Sequence, residues 1–244
     1  MPPGNLSAID PGRCTDSPIT GHCTAMSDPT PQPVAAKLTA AEFTARRPDL
    51  PEAGRWHELH EGQLVLLSAP EEIHGTIVLN LSRLLAVWLQ SQPPGQRGYA
   101  CHGLGLHVNR NPDTLYFPAI SLFLGDSSFL QADEVVASAV PDLVIDIASS
   151  NDRRSEMRRR TTACLQHGVR TVWVPDPFKK EVQVIRRGAH TLALGHWQTL
   201  DGSPLLPGFS VPVERLFAQP EWWDGRVPEC RVVTETPDAP DSAG

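Results

Sequence analysis

Cysteine is scarce in this 244-residue sequence, and the five cysteines that occur form no metal-binding pattern. They include no CxxC pair and no cysteine–histidine spacing of the kind that zinc sites require. An odd number of cysteines without a secretory signal is typical of a reducing environment, so we expect a cytoplasmic protein. Cys164 falls on an apolar helix face, which favours a place in the core over a role as a nucleophile.

Long hydrophobic runs are also missing. The longest strongly apolar stretches, such as LLAVWL at 84–89, are too short to cross a bilayer, so we expect no membrane association. No apolar segment follows a basic N-terminus, so we expect no signal peptide, and Met26 is an alternative start to Met1. The sequence also has no internal repeat, no Gly-rich phosphate loop and no separate DNA-reading module such as a helix-turn-helix or zinc finger.

Positive charge is in short supply overall, because the formal net charge is −7. Residues 1–36, 37–217 and 218–244 contribute −2, −1 and −4, so most of the acidity lies at the two ends of the sequence. Both ends are rich in proline and small polar residues and lack hydrophobic periodicity. We therefore expect disordered tails at 1–36 and 218–244 around a folded domain at 37–217.

One stretch of that domain, 153–187, is strongly basic, with ten lysines and arginines against three acids. Such a stretch is either a solvated helix and hairpin face or an electrostatic surface for the phosphate backbone of a nucleic acid. In the second interpretation, Arg153, Arg154, Arg158 and Arg159 are the candidate nucleic-acid contacts.

Capping and turn residues outline the first half of the domain. Thr39-Ala-Ala-Glu42 is a capping box that begins a short helix. Glu61-Gly62 is the predicted turn of a hairpin over 55–68. Apolar residues recur at helical spacing over 71–91, which predicts the clearest helix of the chain.

The second half alternates a helix with apolar strands. Asn151-Asp152 is predicted to cap a helix that ends near His167, where Gly168 closes it. Across the domain, the segments that we predict as strands are 98–108, 114–124, 141–149, 169–175, 181–187 and 191–199. This order predicts an α/β fold with a mixed β-sheet flanked by helices and an N-terminal hairpin.

An acid interrupts the most apolar strand. Asp146 follows Leu143, Val144 and Ile145, and a carboxylate in such a strand costs several kcal/mol unless it is paired or binds a cation. It is either a cap for the next helix or a ligand for a hard divalent cation. In the second case Glu58 is the best candidate for a second ligand, although it could equally be an ordinary exposed strand acid.

The helix after Asp146 adds a cation. Glu156 and Arg160 are four residues apart and can pair on one helix face. Arg160 follows Asp146 by 14 residues, so a strand–turn–helix can fold it back over the carboxylate. A cation beside a carboxylate–metal site could bind a scissile phosphate, whereas the alternative is a surface ion pair of little consequence.

These residues carry a family resemblance. The segment from 141 to 177 resembles the signature of the Uma-two (Uma2) family of restriction endonucleases, whose pattern matches here at Asp146, Ser149, Glu156, Arg160, Gly168-Val169, Trp173 and Asp176-Pro177. The hairpin HELHEGQL, His74-Gly75 and LPGFSVPVERLF at 206–217 resemble further parts of the pattern. The resemblance covers about 38–217 and implies the PD-(D/E)xK restriction-endonuclease-like fold. It also implies a DNA endonuclease that depends on Mg²⁺ or Mn²⁺.

The same resemblance assigns candidate roles. Glu58, Asp146 and Arg160 take the catalytic positions, with Glu58 and Asp146 as the metal ligands and Arg160 at the phosphate. Glu156, which would orient Arg160, and also His74 and Ser149 take supporting positions.

Three positions depart from the family pattern. Ala119 stands where an Asp is the expected central metal ligand, Asp146 replaces a Glu, and Arg160 replaces a Lys. Arginine can hold a phosphate but cannot act as a base. The first hypothesis is therefore a metal-dependent endonuclease with a degraded active site. The second is a catalytically inactive relative that binds nucleic acid or protein, and the third is a structural subunit of a homodimer.

Overall fold

The computed structural model describes residues 37–70, 73–125 and 128–219, which all belong to one compact unit, Lys37–Gly244. The predicted tail 1–36 lies outside the described residues, and so does the predicted tail 218–244 from residue 220 onward. The described chain contains no helix long and apolar enough to cross a membrane.

The described residues contain four α-helices and twelve strands. The helices are α1 (Ala40–Arg46), α2 (Ile73–Ser91), α3 (Asn151–His167) and α4 (Glu214–Phe217), with short 3-10 turns at Arg47–Asp49 and Pro51–Gly54. The strands are β1 (His57–His60), β2 (Gln63–Leu66), β3 (Tyr99–His102), β4 (Leu106–Asn109), β5 (Thr114–Tyr116), β6 (Ile120–Phe123), β7 (Leu143–Ile145), β8 (Thr171–Asp176), β9 (Glu181–Arg186), β10 (Leu192–Leu194), β11 (Thr199–Asp201) and β12 (Ser210–Pro212).

The strands form two main sheets and one small pair. The larger sheet has the order β10-β9-β8-β7-β6-β3, and the smaller has the order β2-β1-β5-β4. Within the larger sheet β7 and β8 are parallel and α3 connects them, while the other neighbours are antiparallel. Strands β11 and β12 pair separately. The predicted α/β architecture with a mixed sheet and an N-terminal hairpin is confirmed.

The larger sheet lies between two helices, which fixes the direction of each side chain on β7. Leu143 and Ile145 pack in the cluster that contains residues of α2, whereas Val144 packs in the cluster that contains residues of α3. Since side chains alternate along a strand, Asp146 is directed toward α3. Burial of both faces explains why this strand is apolar throughout apart from its acid.

Local signals in the sequence set the ends of the helices. The predicted capping box at Thr39 and Glu42 is formed. The N-cap of helix α3 lies one residue earlier than predicted, because Ser150 rather than Asn151 accepts the hydrogen bond from the first turn. It ends at Gly168, whose φ of 119° lies in the left-handed region that a residue with a Cβ rarely adopts.

Three predicted strands are interrupted. Segment 98–108 becomes β3 and β4, which belong to different sheets, and the chain changes direction at Gly103, where φ is +60°. Segment 114–124 likewise becomes β5 and β6, and 191–199 becomes β10 and β11. Hydrophobic patterning does not distinguish one long strand from two short strands that pass from one sheet to the next, so the prediction was wrong here.

Candidate functional site

The guanidinium group of Arg160 lies between the carboxylates of Glu58 and Asp146. Its Nε donates to Asp146 Oδ2 at 2.6 Å, its Nη2 donates to Glu58 Oε1 at 3.0 Å, and its Nη1 donates to Glu58 Oε2. All three nitrogens therefore bind carboxylate oxygens. Arg160 and Glu58 are each 1% exposed, so this is a buried, charge-assisted cluster.

Three elements from different parts of the fold bring these groups together. Glu58 is on β1 of the smaller sheet, Asp146 follows β7 of the larger sheet, and Arg160 is in α3. The predicted return of α3 over Asp146 is confirmed by the Arg160–Asp146 hydrogen bond. The alternative of Glu58 as an ordinary exposed strand acid is wrong, since its carboxylate is buried at the junction of the two sheets.

Electrostatics hold the cluster in its charged form. Burial by itself would raise the pKa of Glu58, but the Arg160 charge and hydrogen bonds from His60, Arg160 and the Phe117 amide hold that pKa well below its usual range. Burial likewise works against the charged form of Arg160, and the two carboxylates raise its pKa well above the usual value. Neither Glu58 nor Arg160 can accept a proton near neutral pH.

A second arginine completes the charge balance. Arg153, which is 6% exposed, places Nη1 3.5 Å from Asp146 Oδ1. Two arginines therefore face two carboxylates, and together they supply the two positive charges that a divalent cation would carry. The charges are balanced but the hydrogen bonding is incomplete, because Asp146 Oδ1 and Arg153 Nε are buried without a hydrogen-bond partner.

An outer layer connects the cluster to the surface through His60. The His60 Nε2 lies 2.9 Å from Glu58 Oε2, and its Nδ1 lies 2.7 Å from Arg159 Nη2. Because a guanidinium can only donate, Nδ1 accepts and Nε2–H donates to Glu58, which identifies the neutral tautomer. Tyr116 packs its ring edge-on against His60 and lies under the Arg160 guanidinium, 4.4 Å from the ring centroid.

The predicted pairing of Glu156 with Arg160 is wrong. Glu156 pairs instead with Arg159 at 2.6 Å, on a more exposed part of α3. Arg159 and Arg160 lie three and four residues after Glu156, so either could pair with it on the helix. The buried carboxylates of Glu58 and Asp146 bind Arg160 instead, which leaves Arg159 to pair with Glu156. Glu156 therefore does not orient Arg160 directly.

The other predicted supporting residues lie beside the cluster. His74, near the start of α2, places Nδ1 2.8 Å from the hydroxyl of Ser149. Burial and the Arg153 charge lower the pKa of His74 to about 4, although Asp146 acts in the opposite sense. His74 is therefore neutral at physiological pH, and it lies on the α2 side of Asp146.

Ala119 directly precedes β6, whose pairing with β7 ends at Ile120 and Ile145. Strands β6 and β7 pair Ile120 with Ile145, and the same antiparallel register extended by one residue brings Ala119 opposite Asp146. Directly opposite residues have neighbouring Cβ atoms. A carboxylate at 119 would thus be within reach of the Asp146 carboxylate, but Ala119 offers only a methyl group.

A divalent cation does not fit this arrangement of side chains. Both oxygens of Glu58 and Oδ2 of Asp146 accept hydrogen bonds from arginine, so one oxygen, Asp146 Oδ1, is left to a metal. Within the described residues, no group of three acids, histidines or cysteines could hold a metal ion. The pair Glu58 and Asp146, predicted as metal ligands, is brought together around a guanidinium.

The four arginines predicted to contact nucleic acid lie on different sides of α3. Arg153 is buried beside Asp146, and Arg159 is tied to Glu156 and His60. Arg158 is exposed, and Arg154 lies with its guanidinium 5.4 Å from the centroid of the Phe178 ring. Because the side chains of α3 radiate around its axis, this basic stretch does not form one continuous basic face.

The sequence analysis did not identify two residues of the site, His60 and Tyr116. His60 could have been found, because it lies two residues after Glu58 on the same face of one strand. Tyr116 could not, because its contact with Arg160 joins distant segments of the chain.

The comparisons with known proteins agree with this fold. Residues 41–214 match the family model Uma2, described as "Putative restriction endonuclease". A crystal structure of "a putative nuclease belonging to DUF820" from Anabaena variabilis is similar, with a TM-score of 0.60, 20% identity and coverage of 74% of this chain and 97% of that one. At this identity the likeness shows the fold alone, and none of the curated proteins matches. Since the family model matches well over half of the sequence, this chain belongs to the Uma2 restriction endonuclease family.

Proposed function

We propose that this protein binds nucleic acid without hydrolysing it, as a family member whose metal centre has been replaced by a buried ion cluster. The observation that carries the proposal is the position of Arg160 between Glu58 and Asp146, the two carboxylates that would hold the metal. Metal-dependent phosphodiester hydrolysis needs the cation to activate water and to stabilise the developing charge. A guanidinium supplies positive charge, but it neither activates water nor accepts a proton.

A surface for nucleic acid is available on the exposed side of α3. A groove of about 810 Å³ lies between this helix and the β8–β9 hairpin. Its basic lining residues are Arg154, Arg158 and Lys179, and its one acidic lining residue, Asp176, is paired with Lys179. Phe178, which is 79% exposed, stands beside Arg154 at the tip of the hairpin. Basic groups next to an exposed aromatic ring are typical of surfaces that bind single-stranded nucleic acid, because bases stack on the ring while cations bind the backbone.

The experiment combines cleavage and binding on the full chain. Supercoiled plasmid and a labelled single-stranded oligonucleotide are incubated with the protein in Mg²⁺, in Mn²⁺ and in EDTA. We expect no nicking in any condition, together with a mobility shift that survives EDTA and weakens as salt rises. We also expect Arg154→Gln/Arg158→Gln to weaken the shift by about tenfold or more, whereas Arg83→Gln, on α2, leaves it unchanged.

Two results would overturn the proposal. Metal-dependent nicking that is lost in Asp146→Ala would establish an enzyme with these two ligands. A mobility shift that responds equally to Arg83→Gln and to the double variant would show that the α3 surface is not the binding site.

A further inference from the structure

A second cavity, beside the first turns of α2, shares no lining residue with the α3 groove. It has a volume of about 500 Å³ and is enclosed by the first turns of α2, the segments around 47–56 and 117–119, and Arg153. Its charged and titratable lining residues are Arg47, Arg55, Arg153, His74 and His102. No acid is among the described lining residues, so the lining itself carries a net positive charge.

Arg153 gives the cavity a buried donor that lacks a partner. Its side chain is 6% exposed, its Nε makes no hydrogen bond, and its nearest carboxylate oxygen is 3.5 Å away. Burial of an unsatisfied charged donor is costly. An anion in the cavity would remove that cost by accepting the hydrogen bond.

Two further guanidinium groups are held in place without an acidic partner. Arg47 lies 3.9 Å from the centroid of the Phe117 ring and donates from Nε to the Gly54 carbonyl at 3.2 Å. Arg55 lies 4.8 Å from the centroid of the Trp56 ring. Neither forms an ion pair with another residue of the described chain, so their charges remain available to a ligand.

We infer that this cavity is a binding site for a phosphoryl group, used without a metal ion. Arg47 and Arg55 bring two positive charges to this space. Arg153, whose charge is balanced by Asp146, adds its unsatisfied Nε–H donor. Arginine binds phosphate through pairs of parallel hydrogen bonds. Val78, Leu79 and Pro118 provide an apolar wall for the organic part of a phosphate ester. This site goes beyond the proposed function, because it would bind free phosphate or a mononucleotide independently of the α3 groove.

The test measures binding by calorimetry in EDTA with three probes. These are inorganic phosphate, adenosine 5′-monophosphate, and one short oligonucleotide prepared with a 5′-phosphate or a 5′-hydroxyl. We expect saturable binding of inorganic phosphate and of the mononucleotide. A tighter complex with the 5′-phosphorylated strand than with the hydroxylated one would identify strand ends as the source of the group, and equal affinities would identify free nucleotides.

Variants place the site. We expect Arg55→Gln and Arg47→Gln each to weaken phosphate binding by about tenfold, since each removes a charged donor. Arg55 is exposed, so its replacement leaves the fold intact and keeps the test valid even where a change at Arg153 does not fold. Arg83→Gln is the matched control, because it removes the same charge from an exposed position of α2 that lines neither this cavity nor the α3 groove.

The inference fails if neither phosphate nor the mononucleotide binds in the millimolar range. It also fails if Arg83→Gln weakens binding as much as Arg55→Gln does. Because cleavage is not measured, a negative result here leaves the absence of hydrolysis and the α3 groove untouched.

Discussion

Arg160 donates a hydrogen bond of 2.6 Å from Nε to Oδ2 of Asp146, which lies 14 residues earlier at the end of β7. The same guanidinium binds Glu58, 102 residues earlier in the smaller sheet. One side chain therefore connects α3 with both sheets. At the junction of the two sheets, this chain therefore has a buried ion cluster.

The first prediction concerns the stability that Arg160 provides. Arg160→Met leaves two buried carboxylates without their main partner, and removing one partner of a buried ion pair typically costs about 3–5 kcal/mol. We expect a loss of this size in the free energy of unfolding, measured by urea denaturation. Arg158→Met, on an exposed part of the same helix, should change it by about 0.5 kcal/mol or less. Equal effects of the two substitutions would mean that the cluster contributes nothing specific.

Much of the site could be predicted, but not the direction of its side chains. The apolar setting of Asp146 required a cationic partner, and the spacing to Arg160 placed one on the following helix. Helical spacing allows Arg160 to pair with Glu156 on its own helix. Whether it binds Glu58 and Asp146 instead depends on which carboxylates are buried next to it in the folded protein, and the spacing of residues in the sequence does not show this. This is why the convergence of Glu58, Asp146 and Arg160 was correct and the orienting role of Glu156 was not.

In the fold, too, local features could be predicted from the sequence, but the assignment of strands to sheets could not. Strong local signals located the hairpin at Glu61-Gly62 and helix α3 within about a residue. The breaks at Gly103 and Pro118 separate strands that belong to two sheets. A glycine or a proline indicates a break in a strand, but not which sheet the next segment enters.

The second prediction concerns pH. The pKa of His74 is lowered to about 4, whereas an unperturbed histidine titrates near 6.5. The unfolded state therefore binds more protons between these values, and stability should fall as pH is lowered through this window. We expect His74→Gln to remove about 1–2 kcal/mol of that fall between pH 7 and pH 4.5, after allowance for partial exposure.

The control for this effect is an exposed histidine. His190→Gln should leave the pH dependence of unfolding unchanged, because His190 is exposed in the segment between β9 and β10. Both variants should still lose stability at more acidic pH. The depressed pKa of Glu58 stabilises the fold above the pKa of the unfolded carboxyl, and this contribution is lost as pH falls toward the folded value. Identical profiles for wild type and His74→Gln would contradict the prediction.

The third prediction concerns thiol chemistry. Burial, reinforced by Asp146, raises the pKa of Cys164 to about 12, so its thiolate is almost absent at pH 8. We expect iodoacetamide to leave Cys164 unmodified in the folded protein and to modify it in urea, as read by peptide mapping. Rapid modification in the folded state would show that the α3 face of the sheet is open to solvent.

The fourth prediction restores a metal centre. Ala119→Asp adds a carboxylate opposite Asp146, and Arg160→Lys shortens the cation that separates Glu58 from Asp146. Calorimetry should detect Mn²⁺ binding to the double variant and none to wild type, because three converging carboxylates are ligands that hard cations prefer. Ala119→Asn/Arg160→Lys has the same shape without the added charge and should bind at least about tenfold more weakly. Equal affinities would show that residue 119 does not face the cluster, and would contradict the extended β6–β7 register.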